Sequence, residues 1–384
     1  MAWFGHGDEN RGDGLSTYTR DLVGGLRARG AEVLLVTSAC DGRPGASAAG
    51  RLVLDGVAAG ALTVSGPGSM RRVEQALGDF APDVVHVSWS FSTLDGPICR
   101  AAHALGAATV ATFHLPYATP GSSRARLLAG LYRYHRAALR HVDSLIALST
   151  TQAALLVRAG VPAERILVVA NGVDVNAITP GRSRLRDQLG DAFVVAYLGR
   201  LDREKRVGAL IEAVAKQAWP PHRLLIAGTG SQAGRLQRLA GRSAAVRLMG
   251  RLATFEERLD LLRAADVVVL PSTAEGLALS MLEAMAAGCA VVATDAGDDG
   301  EALGDAGVVI PVHPLEPHLS RALAMLQADP PLRHRLGRAA RQRCVDRYPL
   351  GRVIDDVLAV YAGLRSGRAP SPPFRHGGAV PPQP

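Results

Sequence analysis

Short runs of apolar, β-branched residues alternate with longer helix-patterned stretches along almost the whole chain, and that alternation limits the fold more than any other feature. A strand buried on both faces reads as an unbroken apolar run, and such strands need helices to join and cover them. In the first half the expected strands are residues 32–37, 83–88, 108–113, 144–148 and 166–170, with helical segments at 15–29 and 122–140. In the second half, 193–198, 223–227, 246–249, 267–270, 290–293 and 308–311 repeat the scheme. Two successive doubly wound parallel sheets with right-handed crossovers are the economical α/β reading. The first strand, AWF at residues 2–4, reads as very short or clipped. At 384 residues the chain exceeds what one core usually organises, which agrees with two domains. The break is expected within 171–190, where NGVDVNAITPGRSR joins turn residues to no apolar period, giving domains 1–172 and 173–349. The Pro/Gly-rich segment 366–384 reads as a disordered tail.

Several classes of function are set aside by composition. No apolar run is long enough to cross a bilayer as a helix, and MAWFGHGDENRGDG lacks a basic start followed by an apolar stretch. Cys40, Cys99, Cys289 and Cys344 lie far apart, so neither a disulfide framework nor a zinc site is expected, and a cytoplasmic protein with reduced thiols follows. The 43 basic residues outnumber the 35 acidic ones, but they are scattered and aromatic residues are only 4%, which argues against nucleic acid as a partner. The excess of positive charge suits an anionic substrate or surface instead. No Gly-Lys-Ser/Thr, HExxH or G-x-S-x-G run occurs.

Four segments carry chemistry. In PSTAEGLALSMLEAMAAGCAVVATDAGDDGE (271–301) an apolar strand ends in a loop that enters a helix at 278–287. Open α/β sheets bind ligands at such strand ends, and a helix start offers amide groups to an anion, with Gly276 allowing close backbone approach. Glu275 and Glu283 then sit where they can accept hydrogen bonds from sugar and ribose hydroxyls; a solvated pair on an ordinary amphipathic helix is the alternative. In YLGRLDREKR, Arg200 and Lys205 stand at the mouth of the same sheet, where a diphosphate would need cations, or form an exposed turn with i,i+4 pairing. NRGDGLS places Gly14 in a turn that can approach a phosphate or sugar, or simply enters a helix capped by Asp13. His114 ends the strand TVATFH and can bond a hydroxyl or move a proton, or be structural, as His86 within its apolar run reads more strongly still. GTGSQA (228–233) imitates the dinucleotide fingerprint, but VRLMGRL follows where an acidic residue is needed, so hydride chemistry is disfavoured.

EGLALSMLEAMAAGCAVVATDAGDDGE resembles the E-x₇-E signature of the retaining, GT-B-fold glycosyltransferases of family 4. RGDGLSTYTRDLVGGLRARGAEVLLVT, PDVVHV, TVATFH, YLGRLDREKRVGALIEAVA, LLIAGTGSQAGRLQRLA and AADVVVLPSTAEG resemble the family's other segments, in its order. The resemblance implies two Rossmann-like domains facing an interdomain cleft, with a last helix at 350–364 returning to the first. It implies that Arg200 and Lys205 bind the donor diphosphate and support its departure, with Glu275 against the transferred sugar and Glu283 against the ribose. Gly276, Leu277, Ala278, Leu279 and Ser280 match the loop holding the distal phosphate and sugar. Gly250, Arg251 and Leu252 match the stretch lining the base, Gly14 the Gly-turn, and His114 the histidine near the reacting carbon. Departures are Asp13 between glycines usually adjacent, Asp298 in place of the second glycine of a post-signature pair, Asp299 after it, Ala290 for a common proline and Ala278 for a common glycine.

The reaction so implied moves a sugar from a nucleoside diphosphate sugar to an acceptor hydroxyl with retention, by front-face attack in which the departing diphosphate helps deprotonate the acceptor. Protein cations and the helix start would do a metal's work, so neither metal nor cofactor is expected beyond the donor co-substrate. The helix pattern RARLLAGLYRYHRAALRH (124–141) is basic and amphipathic, and either rests on an anionic membrane face or covers the sheet. A nucleotide-sugar epimerase and a non-catalytic nucleotide-sugar-binding subunit are the rival readings.

Overall fold

Strand β1 (Ala2–Gly5) forms the middle of a sheet rather than a frayed beginning: it pairs in parallel with a strand on each side. Four residues suffice there because Ala2 and Trp3 are fully buried and Phe4 nearly so. The computed structural model describes residues 1–5, 14–39, 50–59, 62–90, 92–115, 117–118, 130, 137–217 and 222–366. Asp13, most of the basic pattern 124–141, Cys40 and the segment after Ser366 lie outside the described residues. The chain divides into two units, Met1–Leu115 with Ser123–Asn171 and Leu350–Pro384, and Pro116–Ser122 with Gly172–Pro349.

In the first unit, α1 (Gly14–Ala28), β2 (Leu34–Ala39), β3 (Arg51–Ala59), β4 (Leu62–Ser65), α2 (Ser69–Phe80), β5 (Val84–Trp89), α3 (Asp95–Ala104) and β6 (Ala108–Phe113) follow β1. The two-residue β7 (Tyr117–Ala118) belongs to the second unit, and β8 (Ser144–Ala147), α4 (Thr150–Arg158) and β9 (Ile166–Val168) return to the first. The sheet order is β4-β3-β2-β1-β5-β6-β8-β9, parallel except for β4. The strand order reverses between β1 and β5. The β3–β4 hairpin has no counterpart in the sequence reading, because RLVLDGVAAGALTVSG mixes glycines into its apolar positions. Alternate residues of β1, β5 and β6 face α2, α3 and α4, packing Phe4, Val85, Val87, Trp89 and Phe113 against Leu77, Ile98 and Leu156.

The second unit comprises α5 (Arg184–Leu189), β10 (Phe193–Leu198), α6 (Val207–Ala215), β11 (His222–Ala227), α7 (Ala233–Ala240), β12 (Val246–Gly250), α8 (Phe255–Ala264) and β13 (Val267–Leu270). It continues through β14 (Ala274–Glu275), α9 (Leu279–Ala286), β15 (Ala290–Thr294), α10 (Asp299–Leu303), β16 (Val308–Ile310), α11 (Leu315–Ala328) and α12 (Pro330–Arg347). Its sheet is parallel throughout, in the order β12-β11-β10-β13-β15-β16. The order reverses between β10 and β13, where an open α/β sheet offers a crevice at its carboxyl edge. Helix α13 (Leu350–Arg365) belongs to the first unit and lies on α1, where Arg29 pairs with Asp355 at 2.6 Å.

Candidate active site

The carboxyl edge of the second sheet is held together by its own backbone. The amide of Gly199, just past β10, donates to Ala227 at 3.1 Å, that of Leu201 to Thr229 at 2.8 Å, and that of Gly228 to Gly250 at 2.7 Å. Three loops from adjacent strands are thus zipped side by side. A side chain at Gly228, where φ is +141°, would collide with the carbonyl of Gly199, and one at Gly230 would meet the backbone of Leu201 at 2.6 Å. The glycines that imitate a dinucleotide fingerprint therefore serve loop-to-loop approach.

This zipper fixes the turn carrying the two cations. After Asp202 the chain makes a single 3₁₀ turn, Arg203–Lys205, and Arg206 closes it in the left-handed region at φ 50°. Arg200 and Lys205 take different directions from it. Arg200, half exposed, forms ion pairs with Asp202 and, at 3.0 Å, with Glu204 four residues on. Lys205 turns inward, its side chain only 14% exposed, and its ammonium bonds the Glu275 carboxylate across 70 positions of sequence.

Glu275 lies on β14, whose backbone pairs antiparallel with β7. The Ser272 hydroxyl donates to Glu275 Oε1 at 2.6 Å, and the Thr294 hydroxyl at the end of β15 donates to the Ser272 carbonyl at 2.6 Å. Gly297 sits at φ +64° directly against the Glu275 backbone, where any Cβ would collide. One carboxylate is thereby positioned from β13, β15, their loops and the Lys205 turn together.

The amide-lined start of α9 is partly engaged from within. Its N-cap, Ala278, supplies no side-chain bond, and the Ala278 amide donates to Asp299 Oδ1 at 3.0 Å. The Asp298 amide donates to the carbonyl of Gly276 at 3.1 Å. Leu277 is buried, while Gly276, Leu279 and Ser280 are half-buried. Burial first, and the Glu275 charge second, push the Asp299 carboxyl well above the usual carboxylate range. The two aspartates that depart from the family pattern are therefore packed against this helix start, each 1% exposed.

One turn further along α9, Glu283 is 8% exposed and accepts from Arg258 at 3.1 Å. Arg258 escaped the sequence reading. Its signal was there: Thr254 and Glu257 form a capping box that starts α8, and Arg258 follows immediately. A cation so close to a helix start opposes the helix dipole, and that unfavourable placement marks a residue with a partner elsewhere. Of the base-side stretch, Gly250 ends β12 at φ +71°, Arg251 is exposed and Leu252 half-buried.

Gly14 and His114 belong to the first unit. Gly14 is the exposed first residue of α1. His114 directly follows β6, its amide donating to Trp89 at 3.0 Å and its ring meeting the Tyr18 ring edge-on at 4.6 Å between centroids. Behind it runs a buried chain of bonds. Tyr361 of α13 bonds His86 Nδ1 at 2.6 Å, His86 Nε2 bonds Thr112 at 2.9 Å, and Thr112 bonds the Tyr18 hydroxyl at 3.1 Å. His86 is thus a fully buried structural histidine, stacked on Trp3. Among the described residues, no three histidine, cysteine or acidic side chains stand together as a metal-holding group, and no helix is long and apolar enough to cross a membrane.

Residues 192–329 match the family model for glycosyl transferases group 1, and residues 12–177 the model for glycosyltransferase family 4. The chain is 31% identical to a GDP-mannose-dependent alpha-mannosyltransferase of Mycobacterium tuberculosis over 77% of each chain. It is 30% identical to D-inositol 3-phosphate glycosyltransferase 1 of Catenulispora acidiphila over 96% of this chain and 94% of that one. Among solved structures, sucrose-phosphate synthase from Thermosynechococcus elongatus superimposes with a TM-score of 0.77 at 21% identity, covering 95% of this chain and 99% of that one. Anabaena HepE in complex with UDP and glucose superimposes with a TM-score of 0.75 at 20% identity, covering 94% and 98%.

Proposed function

The chain belongs to glycosyltransferase family 4, and from that premise we propose that it moves a hexose from a nucleoside diphosphate sugar to an acceptor hydroxyl with retention of configuration. The observation that carries this reading is the Lys205–Glu275–Ser272 cluster at the carboxyl edge of the second sheet, beside the strand-order reversal.

Charge grows on the diphosphate as the glycosidic bond breaks. An ammonium about 4 Å away contributes roughly 4 kcal/mol at an effective dielectric near 20, and Lys205 is the inward cation of its turn. Arg200 supports the same charge by leaving Asp202 or Glu204 when the donor arrives. Glu275 already accepts from both Lys205 and Ser272, which suits a carboxylate that orients sugar hydroxyls better than a free nucleophile. Retention then proceeds by front-face attack, the leaving diphosphate taking the acceptor proton, in place of the double displacement common in hydrolases. Glu283, steadied by Arg258, is assigned to the ribose, and Gly250, Arg251 and Leu252 to the base. Gly276 to Ser280 cradle the distal phosphate and sugar, while Gly14 and His114 serve from the acceptor-side unit. The residues need neither metal nor cofactor in this scheme. None of the relatives named above is an isomerase.

The test is donor turnover. The protein is mixed with UDP-glucose or GDP-mannose and a panel of hydroxylated acceptors, nucleoside diphosphate release is followed, and the product anomer is read by NMR. Release coupled to an α-linked product is expected from either α-configured donor. A β-linked product, or no consumption of any nucleotide sugar, overturns the reading.

A further inference from the structure

Trp3, His86 and Thr112 alternate along β1, β5 and β6 with residues of the apolar core, so they face the other side of the sheet, where α1 and α13 lie. That side is built around polar side chains. Tyr361 of α13, His86, Thr112 and Tyr18 of α1 form one line of three hydrogen bonds, and each of the four is at most 6% exposed. Their rings add a second line. His86 stacks on Trp3 with centroids 4.1 Å apart, Trp3 lies 6.0 Å from Tyr18, and Tyr18 meets His114 at 4.6 Å. All members are buried except His114, which is half-buried. Aliphatic side chains would fill the same space with no bonds to satisfy, but apolar packing is non-directional, whereas a satisfied polar network holds one arrangement.

This line ends on His114 in a specific way. Thr112 and His114 are two residues apart, and the His114 amide continues the β6 ladder to Trp89, so both side chains leave on one face. Tyr18 spans them, its hydroxyl 3.1 Å from Thr112 Oγ1 and its ring at 74° to the His114 ring. Anchoring the hydroxyl fixes the plane of the Tyr18 ring, and that plane sets the tilt its aromatic neighbour prefers. At the far end, a neutral imidazole has one donating and one accepting nitrogen. The bond between Tyr361 and Nδ1 therefore decides whether Nε2 donates to Thr112 or accepts from it. Burial pushes the His86 imidazole down to about 3 and the Tyr18 phenol up to about 12, so neither changes charge near neutral pH. What passes along the line is orientation rather than charge.

We propose that Tyr361, His86, Thr112 and Tyr18 are positioning residues for His114, through which the last helix of the chain sets the orientation of the one half-buried ring of the group. That His114 acts on the reacting sugar rests on the glycosyltransferase reading; the buried line to Tyr361 does not.

The test compares Tyr361→Phe, which removes one hydroxyl and keeps the ring, with Val357→Ala, which loosens the same helix one turn away. Proton–nitrogen correlation spectra of the histidine rings read His114, its signals assigned by their loss in His114→Ala. Steady-state rates with UDP-glucose or GDP-mannose read turnover. Tyr361→Phe is expected to move the His114 ring signals and to lower kcat about five- to tenfold while the donor's KM moves less than twofold. Tyr18→Phe should do the same. Val357→Ala should lower the Tm and leave both the ring signals and kcat in place. In the His114→Ala background, adding Tyr361→Phe should cost less than twofold, since a positioning residue then has nothing to position. Unmoved His114 signals in Tyr361→Phe overturn the proposal, as does an equal loss of kcat in the two backgrounds or a matching effect from Val357→Ala. Should Tyr361→Phe not fold, Tyr18→Phe decides by the same readings. Moved signals with an unchanged kcat sink the positioning role and spare the glycosyltransferase reading. If the unaltered protein consumes no nucleotide sugar, that reading fails, and the ring signals alone decide whether Tyr361 sets His114.

Discussion

Replacing Lys205 by alanine should cut turnover by about 10²–10³-fold, the usual cost of losing one preorganised charge at a developing anion. Donor affinity should fall much less, because the ammonium is needed most when the diphosphate departs. Steady-state kinetics beside calorimetric titration of the nucleotide sugar separates the two, and equal losses in both would assign Lys205 to ground-state binding. Arg258→Ala should do the opposite. It leaves Glu283 without its 3.1 Å partner and should weaken donor binding about tenfold with kcat little changed. His86 gives a prediction in pH. Burial, with His114 as a smaller cause, pushes its imidazole down to about 3 from an ordinary 6.5. Below about pH 6.5 the unfolded chain binds a proton there that the folded chain refuses, so stability falls as pH falls, by up to about 1.4 kcal/mol per pH unit. Asp95 has the opposite sign: burial raises it to about 7, so its contribution is lost as pH rises between about 4 and 7. His86→Gln should therefore remove one proton's worth of acid sensitivity between pH 6 and 4.5, measured as the difference in slope of urea-derived unfolding free energies. Parallel slopes for the two proteins would mean that the imidazole is not held neutral.

Elements, rather than single residues, decide where the charged groups point. Helix α8 is short and charged, and its capping box holds Thr254 to the Glu257 amide at 3.1 Å and Glu257 back to the Thr254 amide at 3.2 Å. Thr254→Ala should cost about 1 kcal/mol and lower the Tm by a few degrees. Because α8 carries Arg258, the same variant should also weaken donor binding slightly; a lower Tm with unaltered donor affinity would show that the pair with Glu283 survives fraying of the cap. The E-x₇-E spacing was legible in the sequence because both glutamates stand near one strand-loop-helix passage. Asp299 was legible only as a departure. That its carboxylate takes the Ala278 amide depends on the loop after β15 folding back over the start of α9, and no periodicity records such a return.

At the scale of the molecule, the first unit is completed by the last helix. Val353, Ile354, Val357, Val360 and Tyr361 of α13 are buried, each contributing about 1.5–3 kcal/mol, a large share of the 5–15 kcal/mol that holds a typical domain folded. Ending the chain at Pro349 should therefore unfold the first unit, while the second, which runs continuously over Gly172–Pro349 apart from Pro116–Ser122, keeps its structure. Hydrogen exchange reads this directly: amides of β5 and β6 should lose protection and those of β13 and β15 keep it. Protection retained in β5 and β6 would show that α13 is dispensable there.

The sequence by itself determined the two parallel-sheet units and the family, because buried strands and amphipathic helices write their burial into composition at fixed periods and the signature residues are local. It also named Glu275 and Glu283. Tertiary structure alone decided that Lys205 turns in to Glu275 while Arg200, five residues earlier in the same loop, pairs with its own neighbours, and that Tyr361 bonds His86 across 275 positions. Pairings of that kind depend on register between distant strands and on how loops zip at the sheet edge, and both are fixed by packing and backbone hydrogen bonds that leave no period in the chain.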